Sequence, residues 1–290
     1  MGRFTIGDCL QGYLAHQVVE VRRLGERRYA DGRLDGDGSE DVHDLRVALR
    51  RIHSTLSAGA PAYEKKAVAP LRTAVRELIG VLGVPRDLEV LSGLLLPRIE
   101  DPADRVLVRD VLAGRHQRAE AAALAALGPS ALEALDRSLD HLLAAPPTSA
   151  RADRSARKEA PRLVRREVRR LARLADHAHR TPTDAERWEA LHDLRKATKR
   201  TRYLLEATKE ARAGHRGARI KELTALQDVL GDQHDLVVAA RVARELGAAE
   251  PAGLVTLADT IETEAESLVP AYLQAWGRVR DRAVAAGWLG

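Results

Sequence analysis

Cysteine occurs once in 290 residues, at Cys9, methionine and phenylalanine once each, and all aromatic residues together make up 3%. A lone cysteine excludes an intrachain disulfide and every multi-cysteine metal site, which leaves packing as its role. So few aromatics leave little surface on which single-stranded bases could stack. No uncharged apolar run approaches the ~20 residues that a bilayer requires, so no membrane association is expected. The opening residues meet Arg3 and Asp8 before a signal-like apolar segment develops, and the expected location is the cytoplasm. Alternating β-branched runs are nearly missing. Also missing are the glycine-rich phosphate loop ending in Gly-Lys-Ser/Thr, the Gly-x-Ser-x-Gly elbow and the His-Glu-x-x-His helix. The expectation is therefore a binding protein without a catalytic residue or a cofactor.

What is present in excess is arginine. Lys and Arg number 47 against 42 Asp and Glu, a net charge of +5, and only seven of the 47 are lysine. Arginine offers a planar fork to phosphate or carboxylate, although an Ala- and Arg-rich composition also follows from a GC-rich genome. With 45% apolar residues the chain is long enough for one large domain or two small ones.

Ala, Leu, Arg and Glu dominate, and apolar positions recur at three- and four-residue intervals, so the fold class is all-α. The pattern predicts helices over 6–29, 41–58, 62–82, 86–96, 102–126, 129–144, 160–179, 184–211, 217–231, 234–247 and 251–286. A polar, glycine-rich loop is expected from Asp31 to Ser39, whose last residue can cap the helix after it. The Pro-Pro-Thr-Ser stretch from Pro146 to Ser149 reads as a linker near the midpoint of the chain. Trp188, Trp276 and Trp288 read as buried anchors, and Tyr203 as packed between helices with its hydroxyl at the rim.

The two halves resemble each other. Val42 to Ala58 aligns without a gap on Leu191 to Ala207, with eight of seventeen positions identical at an offset of 149. Downstream, the block from Val81 to Val90 matches Val229 to Val238 at an offset of 148. Two blocks in one order predict two four-helix-bundle-like halves, 1–145 and 160–290, joined by a 146–159 linker and related by internal duplication and pseudo-twofold symmetry.

On the first repeated helix, at ~100° per residue, Leu45, Leu49, Ile52 and Leu56 form one stripe and His43, Arg46, Arg50 and His53 another. The second copy pairs the weaker stripe of Leu194, Ala197, Thr201 and Leu205 with His192, Arg195, Lys199 and Arg202. Each helix thus carries a ladder of positive charge about 10 Å long, at ~1.5 Å per residue, which suits an extended polyanion. A solvated helix face is the plainer reading of one such ladder, and its repetition argues against that. From Arg151 to Arg173 ten basic residues face three acidic ones; here Arg162, Arg165, Arg169 and Arg173 share a side, with Leu163, Val164 and Leu171 left for the core. Residues 241–290, by contrast, carry five Arg and seven acids.

A competing reading takes the repeated Glu40-x-x-His43 and Glu189-x-x-His192 pairs as half of a bundle di-metal site. The further glutamates it needs have no symmetric place, and Arg46 and Arg195 would adjoin the dication, so no metal is assigned. Glu40 and Glu189 read as first-turn acids that complement the helix dipole. Gly231-Asp232 reads as a helix stop followed by a cap, which takes Asp232, His234 and Asp235 out of acid–base chemistry.

The segments His43-x-x-Arg46-x-x-x-Arg50-Arg51 and His192-x-x-Arg195-x-x-x-Lys199-Arg200-x-Arg202-Tyr203 resemble the two hallmark segments of the CHAD family of helical domains. Leu82-Gly83-x-x-Arg86-Asp87-Leu88 resembles the turn that follows the first of them. The resemblance implies two four-helix bundles and the binding of inorganic polyphosphate in a basic groove or pore. It also implies association with polyphosphate granules and, in some members, fusion to a triphosphate-tunnel enzyme domain, for which this chain has no strands. The phosphate contacts expected on this basis are His43, Arg46, Arg50, Arg51, Arg72 and Arg86 in the first half. Those of the second are Arg162, Arg165, Arg166, Arg169, His192, Arg195, Lys199, Arg200, Arg202 and Lys221. His53 stands where arginine is usual, and Asp232-Gln233-His234 where the first half has Val84-Pro85-Arg86. His43 and His192 are expected to charge near neutral pH as phosphate approaches, so that affinity rises modestly on acidification. Non-specific binding to nucleic-acid phosphates is the alternative, and granule-associated proteins recruited through the acidic residues 241–290 are a further possible partner.

Overall fold

The computed structural model describes residues 4–31, 38–181, 184–211, 216–248 and 252–289. Among them the regular structure is helical: α1 (Ile6–Asp31), α2 (Gly38–Ala58), α3 (Lys65–Val81), α4 (Val84–Leu95), α5 (Pro102–Ala126) and α6 (Pro129–Ala144) precede the midpoint. After it come α7 (Ala156–Arg180), α8 (Asp184–Ala207), α9 (Arg216–Gly247), α10 (Ala252–Ser267) and α11 (Val269–Ala285). Most of the glycine-rich loop, 32–37, lies outside the described residues.

Punctuation residues explain where the pattern gave the right boundaries and where it failed. Pro102 opens α5, and Gly128-Pro129 separates α5 from α6, because proline suits a first helical turn. The expected helix 251–286 is in fact two, broken at Leu268 with Pro270 in the first turn of α11. Conversely, the stop expected at Gly231-Asp232 does not exist: α9 runs unbroken through both residues. In the matching block Pro85 has no N–H to continue the bonding of α3, so α3 ends and α4 begins with that proline in its first turn. Glu189 is not a first-turn acid either, since α8 starts at Asp184.

Two compact units result, and they do not follow the halves of the sequence. One comprises Met1–Val84, Ala119–Glu167 and Arg200–Ile220; the other comprises Pro85–Arg118, Val168–Lys199 and Lys221–Gly290. In the first, α1 packs on α2 and α6, and α3 packs on the same two, which closes a four-helix ring. Its centre is filled by Leu10 and Leu14 of α1, Leu45, Leu49, Ile52 and Leu56 of α2, Val68 and Val75 of α3, and Leu139 of α6. The spacing of these residues along each helix is three, four or seven, as an apolar stripe requires. Leu49 is fully buried, so Leu49→Ala is expected to lower unfolding free energy by about 2–5 kcal/mol, measured by urea denaturation.

The stretch expected to be a linker is part of this unit. Thr148 bridges to Tyr63 and Ser155 to Thr5 in antiparallel pairs, Glu64 donates to the Pro147 carbonyl at 2.8 Å, and Gly7 donates to that of Ala152 at 2.9 Å. Cys9 is buried, with its thiol 3.3 Å from the Ala207 carbonyl oxygen. In the second unit Leu91, Leu95 and Ile99 pack with Val108 and Leu112 of α5, with Leu236, Ala239 and Ala243 of α9, and with Leu254, Ala258 and Ile261 of α10. Of the three tryptophans only Trp276 is buried, whereas Trp188 and Trp288 are half-exposed.

Candidate anion-binding clusters

In the first unit the charged face of α2 is graded. His43 is exposed, Arg50, Arg51 and His53 are partly covered, and Arg46 is buried at 4% exposure. Burial pushes His53 down to about 4, and the charges of Arg72, Arg76 and Arg200 push in the same direction. Arg72 and Arg76 come from α3 and Arg200 from α8, so two elements supply cations to an imidazole on a third, α2, that is neutral at pH 7.

Beside it the guanidiniums of Arg202 and Arg51 lie over the buried Tyr203 ring, 4.6 and 5.8 Å from its centroid. The Glu206 carboxylate forms ion pairs with both, at 3.1 Å from Arg202 Nη1 and 3.4 Å from Arg51 Nε, and accepts a hydrogen bond from the Tyr13 hydroxyl at 3.0 Å. Burial and the charge of Glu206 push that hydroxyl well above the usual phenol range. Two further acids tie down arginines of α7. Glu167, at 4% exposure, bonds Arg200 and Arg166, and Glu159, at 1%, bonds Arg162 and adjoins Arg151 and Arg154, each at 3.7 Å. Arg165 stays exposed on α7.

The second unit carries the other cluster. The rings of His192 on α8 and His234 on α9 stack with centroids 4.4 Å apart and planes at 28°. Burial pushes His234 down to about 3, helped by Arg195, His192, Lys199 and Arg241. His192 is pushed down as well, by burial first and then by Lys196, Arg195 and Lys199, with Asp193 opposing them. The ligand-free pair is therefore uncharged at neutral pH. Asp235 faces the same ground: burial pushes its carboxyl up, Asp87 and Asp232 add to this, and Arg195 and Lys199 pull it back. Arg86 is engaged by Glu89 at 2.6 Å on its own helix, while Arg169 and Lys221 are exposed on α7 and α9.

The structure thus gathers Arg72 and Arg200 around His53, Arg51 and Arg202 around Tyr203, and Arg195 and Lys199 around the stacked histidines. Sequence reasoning overlooked Arg76, Arg241, Tyr13 and the three carboxylates. Glu206 had a signal, lying four residues after Arg202 on one helix face. Glu159 and Glu167 count among the three acids of the arginine-rich run, but nothing in their spacing gives them a role. Several acids of 241–290 are taken up in surface ion pairs: Asp259 and Glu262 hold Arg244, Glu245 holds Arg115 and Glu264 holds Arg98. Among the described residues no three His, Cys, Asp or Glu side chains converge as a metal site would require. Nor, among those residues, is any helix long and apolar enough to cross a membrane.

A family model for the CHAD domain matches residues 21–244. This chain belongs to the CHAD family. Two uncharacterized proteins of Mycobacterium tuberculosis, MT2285 and Rv2226, are each 32% identical to it over 215 residues, which is 72% of this chain and 40% of theirs. The chain spans less than half the length of those relatives. Among solved structures, the CHAD domain from the plant Ricinus communis superposes with a TM-score of 0.67 at 28% identity, covering 97% of this chain and 92% of that one. PptA from Streptomyces chartreusis shares the fold with a TM-score of 0.78 at 21% identity, over 94% of this chain and 99% of the other. Both hallmark segments and both histidine clusters of this CHAD domain fall inside the matched region.

Proposed function

We propose that this CHAD protein binds inorganic polyphosphate without transforming it, and that this binding carries it to polyphosphate granules. The observation that carries the reading is that in each unit three cations gather around a partly covered histidine, which burial first and those cations second keep neutral. That is the signature of positive potential awaiting an anion. Family membership supports the ligand class. A phosphate chain would replace water and counterions around Arg195, Lys199 and Arg241 in one unit and around Arg72, Arg76 and Arg200 in the other. Each guanidinium gives charge-assisted hydrogen bonds. Glu206 and Glu167 keep Arg51, Arg202, Arg166 and Arg200 oriented before the ligand arrives, which lowers the ordering cost of binding.

The test is binding of a labelled long-chain polyphosphate to the wild-type protein and to Arg195→Ala/Lys199→Ala, with duplex DNA as competitor. Expected is wild-type binding that survives excess DNA and a loss on the order of a hundredfold in a variant with an unchanged circular dichroism spectrum. Equal competition by DNA would favour a general phosphate-backbone binder, and an unaffected variant would return these residues to solvated surface. In cells that accumulate polyphosphate, the same variant is expected to leave the granules.

A further inference from the structure

The repeat places an arginine on each hallmark helix and a glycine in each downstream block, Arg46 with Gly83 and Arg195 with Gly231. In both units the arginine lies against its glycine, but not equally. A Cβ built on Gly83 would stand 2.8 Å from Arg46 Nη2 and 3.1 Å from the carbonyl oxygens of Ile79 and Gly80; one built on Gly231 would stand 3.9 Å from Arg195 Nε and Nη2. The first is an overlap and the second an ordinary contact. Gly83 has no left-handed φ that would demand glycine, so the space it leaves is its distinguishing property. The tip of an arginine normally yields to such a neighbour, but Arg46 is 4% exposed and enclosed, whereas Arg195 is partly open. The backbone differs in the same sense, turning at Leu82-Gly83 and continuing helically through Gly231.

Resting on the polyphosphate reading, we infer that the repeated arginine has taken two roles: Arg195 contacts the polyphosphate, and Arg46 is a buried clamp that holds α2 to the end of α3, with Gly83 kept small to receive it. In the first unit, contact with the anion falls to Arg72, Arg76 and Arg200, the cations that surround His53. The two copies of the hallmark helix are then unequal, one binding through its repeated arginine and the other built on it.

Thermal melting and the salt dependence of polyphosphate binding separate these roles. Arg195→Ala is expected to weaken binding about tenfold and to flatten the log–log salt slope by about 0.7, one phosphate's worth on a flexible strand, with the melting temperature within about 2 °C of wild type. Arg46→Ala is expected to lower the melting temperature by about 5 °C or more, and Gly83→Ala, which retains the charge, by about 3 °C or more, both with an unchanged salt slope. Gly231→Ala changes neither. Should Arg46→Ala fail to fold, Gly83→Ala carries the test, and Arg46→Lys, with a slimmer head, is expected to recover part of its lost stability. An Arg46→Ala protein that melts like wild type but loses slope as Arg195→Ala does would overturn the assignment, as would a Gly83→Ala protein with wild-type melting. A wild-type protein that binds no polyphosphate would overturn the polyphosphate reading and the role of Arg195 with it, while the melting data still decide Arg46.

Discussion

A fivefold rise in monovalent salt, from about 50 to about 250 mM, is expected to weaken polyphosphate binding more than about a hundredfold, a log–log slope steeper than about −3. At ~0.7 per neutralised phosphate, the three cations around His234 and the three around His53 would together give at most roughly −4, with Arg200 counting for less because Glu167 pairs with it. Arg51 and Arg202 add less, because Glu206 already shares their charge. Fluorescence titrations across the salt range measure the slope directly. A slope shallower than about −1 means that fewer than two phosphates displace counterions, and the clusters are then not the binding surface.

Acidification should act on the free protein with the opposite benefit. Unfolded histidine titrates near 6.5, whereas His53 and His234 in the folded chain do so at about 4 and about 3. Between those values the unfolded state holds more protons, so the stability contributed by these neutral rings is complete above about pH 6.5 and is lost as pH falls toward 4. Each ring accounts for at most about 2 kcal/mol at pH 5. With solvent screening of these partly exposed groups, the pair should cost on the order of 2–3 kcal/mol, or roughly 5–10 °C of melting temperature. Asp235, whose carboxyl is pushed up, offsets part of this at the acid end. The check is melting at pH 7.5 and pH 5 in wild type and in His53→Gln/His234→Gln. The wild type should lose more than the double variant, and equal losses would show that these rings are not held neutral by their surroundings. Bound polyphosphate reverses the sign: its charge offsets the neighbouring cations, both rings take up protons more readily, and affinity should rise as pH falls.

Most of the helices were legible because apolar spacing and proline positions are local. The stripe of Leu45, Leu49, Ile52 and Leu56 is buried as its spacing requires, and so is that of Leu194, Ala197, Thr201 and Leu205. What periodicity could not reveal was decided by neighbours in space. Arg46 falls on the charged side of α2 by angle, yet it is enclosed where α2 meets the end of α3. Gly83 and Gly231 occupy equivalent positions in similar blocks, and only the following residues, Val84-Pro85 against Asp232-Gln233, separate a corner from a continuous helix. His234 was dismissed with the cap that α9 does not have, which hid its stacking on His192. The arginines were visible as a class, but which of them are held by Glu159, Glu167 and Glu206 depends on helices far apart in sequence.

The interleaving of segments also bears on how the chain is made. The backbone around Thr5, Ile6 and Gly7 is bonded to residues 152–156, Cys9 meets Ala207, and Tyr13 meets Glu206. α1 therefore waits for partners that are synthesised up to 198 residues after it. Until then the part of α1 around Cys9 and Tyr13 lacks its last cover, which favours slow, late closure over folding one half at a time.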